Sequence, residues 1–139
     1  MSRTVLIGFV LVLALSAGSA LADMSTQERL QRWFQEHDRD HSGYLTSDEV
    51  IAYELKQFKR MDRAGDGRLS VDEYCSGIDE TAAGEVDRCH RRFATIDKKG
   101  DGYITQEELS DFYRRVMQAA DKKGDGRITL DEWLAAAGG

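Results

Sequence analysis

Four segments of this chain align without gaps, and that repeat constrains the fold more than any other feature. They occupy residues 38–49 (DRDHSGYLTSDE), 62–73 (DRAGDGRLSVDE), 97–108 (DKKGDGYITQEE) and 121–132 (DKKGDGRITLDE). Each has Asp at its first position, Gly at its sixth, an apolar residue at its eighth and Glu at its twelfth. Oxygen donors spaced around a glycine turn make a lining suited to a hard cation.

The segments resemble the calcium loop of the EF-hand family, and the resemblance covers nearly all of the chain beyond its N-terminal stretch. It implies an all-α EF-hand domain with four calcium loops and short β-bridges between paired loops. It also implies a ligand set. Position 1 gives the carboxylates of Asp38, Asp62, Asp97 and Asp121, and position 5 gives Ser42, Asp66, Asp101 and Asp125. Position 7 needs only a backbone carbonyl, so Tyr44, Arg68, Tyr103 and Arg127 all suffice there. Thr46, Ser70, Thr105 and Thr129 suit the water-mediated position 9, and Glu49, Glu73, Glu108 and Glu132 are the bidentate carboxylates at position 12. The ion implied is Ca2+.

The flanks predict helices. Phe34, Phe58, Phe93 and Met117 stand four residues before the loops, and Val50, Tyr74, Leu109 and Trp133 stand one residue after. Steps of three and four extend this stripe through Leu30-Phe34, Ile51-Leu55-Phe58 and Leu109-Phe112-Val116, as expected of core packing. A methionine-rich docking groove is poorly supported, with only Met24, Met61 and Met117 beyond the N-terminal stretch.

Loop spacing predicts the pairing. The steps between first aspartates are 24, 35 and 24 residues. A step of 24 leaves 50–61 or 109–120 to serve as one helix, the exit of one hand and the entry of the next. Its two loops lie at opposite ends and cannot pair. The second and third loops are therefore expected to bridge through Leu69 and Ile104, and the first and fourth through Leu45 and Ile128, in one domain. The short step is similar to that of lanmodulin, a bacterial periplasmic EF-hand protein that favours lanthanides. The loops depart from it in lacking proline at position 2 and most acids at positions 3 and 9. The broader resemblance is to bacterial exported calmodulin-like proteins.

Position 3 grades the loops. Only the first has a carboxylate there, Asp40; the others have Ala64, Lys99 and Lys123. Alanine deletes a ligand that water can replace, while lysine adds a cation beside a cation. The chain thus reads either as four sites of graded affinity, the first tightest, or as one working loop with three structural ones.

The N-terminus reads as a signal peptide over 1–22, with Arg3 before an apolar run at 5–15 and Ala20-Leu21-Ala22 as the cleavage signal. The domain is then 23–139, exported to the periplasm or secreted, with no membrane anchor after cleavage. The full chain carries a net charge of −6, which argues against nucleic acid and suits a cation binder. Two cysteines in an exported chain suggest a Cys75–Cys89 disulfide across a helical hairpin, with a reduced buried pair as the alternative. His37, His41 and His90 lack metal-like spacing and read as solvent-exposed. Every carboxylate pair belongs to a loop and no nucleophile or phosphate-binding motif appears, so no enzyme is expected. What remains is a calcium buffer or a calcium-dependent binder of an unidentified exported protein, or else a structural interaction module.

Overall fold

The computed structural model describes residues 25–81 and 84–138; the expected signal peptide lies outside them. Helix α1 (Thr26–His37) leads into the first loop and strand β1 (Tyr44–Leu45), then α2 (Ser47–Met61). Strand β2 (Arg68–Ser70) and the single turn α3 (Val71–Tyr74) follow, and α4 (Glu85–Ile96) enters the third loop. Strand β3 (Tyr103–Thr105), α5 (Gln106–Ala120), β4 (Ile128–Thr129) and α6 (Leu130–Gly138) complete the described chain.

Local chemistry sets these boundaries. Ser25, Thr46, Ser70 and Thr105 cap α1, α2, α3 and α5 through capping boxes, each reciprocated by a glutamate three residues on. Helices α2 and α5 therefore begin inside the loops, three residues earlier than the sequence stripe suggests. At the other end, α1, α2, α4 and α5 stop at the first aspartate of the next loop. The N–H of that aspartate still donates to the carbonyl four residues back, at Phe34, Phe58, Phe93 or Met117.

The loops pair as their spacing predicts. β2 pairs antiparallel with β3, placing Leu69 opposite Ile104, and β1 pairs with β4, placing Leu45 opposite Ile128. All four side chains are buried. Helices α2 and α5, 15 residues each and so about 22 Å long, pack on one another, while α1 packs against α6. The first and fourth loops thus share one end of the helix pair, and the second and third share the other. One apolar cluster runs through all of it, from Leu30 and Trp33 to Trp133 and Ala137.

Three expectations need correction. His37 is not exposed: only 1 % of it meets solvent, its Nδ1 donates to the Trp33 carbonyl at 2.7 Å, and its Nε2 shares a hydrogen with Glu54 Oε1 at 2.6 Å. His41 and His90 are exposed as expected. On α2, Ile51 and Leu55 are only half-buried, and the core face reads Val50, Glu54, Phe58. Glu54 takes the inward position because His37 answers it from α1. Cys75 and Cys89 are bonded, but not across a helical hairpin, because α3 ends at Tyr74 and the bond joins its C-cap to the middle of α4.

Candidate metal centres

Each loop is built around its first aspartate. The N–H of the sixth-position glycine donates to that carboxylate at 2.9 Å from Gly43, Gly67 and Gly102 and at 2.8 Å from Gly126. All four glycines have positive φ, a conformation side chains resist. The fourth position also turns left-handed. Glycine fills it in three loops, while His41 fills it in the first with φ 55°. Position 5 then fixes position 7: Asp66, Asp101 and Asp125 accept the N–H of Arg68, Tyr103 and Arg127 at 3.3, 3.1 and 3.0 Å. Ser42 accepts the N–H of Tyr44 more loosely, at 3.5 Å.

The position-12 glutamate closes the loop, and the first loop differs from the others here. In every loop one oxygen of this glutamate accepts the N–H and hydroxyl of position 9, as Glu49 does from Thr46. In the last three loops the second oxygen accepts a backbone N–H at position 3: Ala64 to Glu73 at 3.1 Å, Lys99 to Glu108 at 3.2 Å and Lys123 to Glu132 at 3.4 Å. Glu132 also accepts from Lys122 at 3.1 Å. In the first loop Glu49 Oε2 is buried and makes no hydrogen bond of that geometry, although the backbone and carboxyl of Asp40 both act on Glu49.

The electrostatics follow. Backbone N–H donors hold the Glu73 and Glu132 carboxyls below the usual carboxylate range, from Ser70 and Ala64 in one case and chiefly from Thr129 in the other. Burial pushes Glu49 up instead, reinforced by the charge of Asp40. Asp40 itself is held low, first by the Ser42 hydroxyl. Two carboxylates thus face one another in the first loop, an arrangement that a cation completes.

The acids converge where the repeat places them. Ligand oxygens of Asp38, Asp40 and Glu49 lie within 4.8 Å of one another, as do those of Asp62, Asp66 and Glu73 and those of Asp97, Asp101 and Glu108. Among the described residues, Asp121, Asp125 and Glu132 do not converge to that distance. Oxygen-only donor sets of this kind fit Ca2+. These residues would hold the ion together with the position-7 carbonyls of Tyr44, Arg68, Tyr103 and Arg127.

Sequence reasoning missed two features of the site. The position-3 N–H bonds leave no trace in the side-chain letters, because the donor is backbone. The other did leave one. Position 7 alternates Tyr, Arg, Tyr, Arg, and in each loop pair the arginine lies over the tyrosine ring: Arg68 over Tyr103 at 3.8 Å and Arg127 over Tyr44 at 5.1 Å. Among the described residues no helix is long and apolar enough to cross a membrane.

Known proteins repeat the pattern. The EF hand family matches four times, at residues 30–52, 55–74, 91–113 and 114–135. A 16 kDa calcium-binding protein of Schistosoma mansoni is 31 % identical over 104 residues, which span 66 % of this chain and 72 % of that protein. Calcium-binding protein LPS1-alpha of Lytechinus pictus is 32 % identical over 101 residues, 62 % of this chain but 32 % of that longer protein. Polcalcin Bet v 4 of Betula pendula is 37 % identical over 57 residues, 41 % of this chain and 67 % of that protein.

Proposed function

The chain belongs to the EF-hand family, and from that premise we propose that it is an exported calcium buffer with sites of graded affinity, the loop at 38–49 the tightest. It binds calcium and is not an enzyme, in keeping with its family and relatives. The observation that carries the grading is Glu49 Oε2, buried without the well-formed backbone bond of the other loops and facing the Asp40 carboxylate. Elsewhere a well-formed backbone N–H bond holds the second glutamate oxygen; in the first loop that bond is not well formed, and Asp40 adds a carboxylate beside it. The fourth loop, whose acids are the least convergent, is the weakest.

Export is supported by the N-terminal pattern of Arg3, apolar 5–15 and Ala20-Leu21-Ala22. The Cys75–Cys89 bond suits an oxidising compartment. Buffering is favoured over recognition of a partner helix because the apolar stripe is enclosed: Phe34, Phe58, Phe93, Leu109, Met117 and Trp133 are all buried. Calorimetry against calcium tests the reading. Several exothermic sites of differing affinity are expected, while one site or none favours the structural-module alternative. Lanthanum in a parallel titration tests the lanmodulin-like alternative, against which the missing position-2 prolines and the missing acids at positions 3 and 9 count. Fractionation of the native cell tests export, with full-length chain retained inside as the contrary result.

A further inference from the structure

We propose that the Cys75–Cys89 disulfide is a positioning element for the cation site at 62–73, holding Glu73 where that loop needs it; the proposal rests on the calcium reading above. The observation is a missing length of helix. The position-12 glutamates of the first, third and fourth loops begin helices of 15, 15 and 9 residues. Glu73 sits in α3, which has four. A single helical turn does not persist unaided, because its nucleation cost is spread over too few bonds.

Contacts at Tyr74 and Cys75 tie this turn to α4. The Tyr74 ring lies tilted on Phe93 with centroids 6.0 Å apart. One residue further on, Cys75 is bonded to Cys89, with Cα atoms 6.0 Å apart. Cys89 is fully buried in the middle of α4, so its end of the bridge is fixed. The other end lies two residues from the glutamate, and the chain around the two is held by Cys75 N–H to Val71 O at 2.9 Å and by the Ser76 hydroxyl to Glu73 O at 2.8 Å. The bridge does for the second loop what a full exit helix does for the others. The chain has two cysteines, so no other loop has such a tie, and the effect is local.

The test is a calcium titration followed at the backbone amides of Gly43, Gly67, Gly102 and Gly126 by nitrogen-15 NMR, one reporter per loop. The protein is compared with its Cys75→Ser/Cys89→Ala variant. A second arm uses a dithiol reductant on the unaltered chain, which gives two electrons to the S–S bond and leaves two thiols and an oxidised reductant, with both side chains in place. We expect the Gly67 midpoint to weaken about tenfold or more, as supporting-shell losses do. Gly102, in the loop paired through β2 and β3, shifts by less than Gly67, through that pairing, and Gly43 and Gly126 keep their midpoints. An unchanged Gly67 midpoint, or equal weakening at all four glycines, overturns the proposal. If the disulfide-bonded protein shows no calcium response at any glycine, the calcium reading fails and takes this inference with it.

Discussion

The backbone N–H of Lys99 donates to Glu108 Oε2 at 3.2 Å, so the third position of the third loop holds the twelfth while offering no oxygen of its own. Its side chain brings a cation instead. The first loop reverses both features, with a carboxylate, Asp40, at position 3 and no well-formed backbone bond at Glu49 Oε2.

Lys99→Asp should therefore tighten the third site. The change removes a positive charge and adds a ligand, without touching the N–H that braces Glu108. Roughly tenfold to a hundredfold tighter binding is expected, most visible at low salt. Calorimetry at two ionic strengths checks it, and an unchanged third site would show that position 3 does not grade these loops.

Glu49→Gln should weaken the tightest site by about a hundredfold, equivalent to about 2.8 kcal/mol. Glu108→Gln should leave that tightest site in place and weaken a lesser one. The pair of titrations ranks the loops directly. If Glu49→Gln spares the tightest site, the ranking is wrong.

Glu54 is a stability residue rather than a ligand. It meets His37 Nε2 at 2.6 Å and also bonds the buried Tyr113 hydroxyl. Glu54→Ala should cost about 2–4 kcal/mol, combining a cavity with two buried polar groups left without a partner. Leu55→Ala, next to it but half-buried, should cost about 1 kcal/mol. Urea midpoints in saturating calcium compare the two, and equal losses would refute the role of the His37–Glu54 contact.

The pairing of loops was legible because it follows from distances along the chain: a 24-residue step cannot fold back on itself. The acids of the loops were legible because each ligand carries its own letter. His37 was not, since its partner lies 17 residues away on another helix and nothing in local spacing announces it. The brevity of α3 was also hidden. Tyr74 continues the apolar stripe, and only the turn after Cys75, where Ile78 N–H bonds the Cys75 carbonyl at 3.3 Å, shows that the helix has stopped.

The central claim is that calcium is part of what holds this fold. Each loop gathers like charges that the core alone must offset when no cation is present. At calcium a hundred times the dissociation constant, each filled site adds about 2.7 kcal/mol, against a typical domain stability of about 5–15 kcal/mol. A thermal melt by circular dichroism, in chelator and in millimolar calcium, measures this directly. Two filled sites should raise the midpoint by more than about 15 °C; superimposable melts would contradict the account.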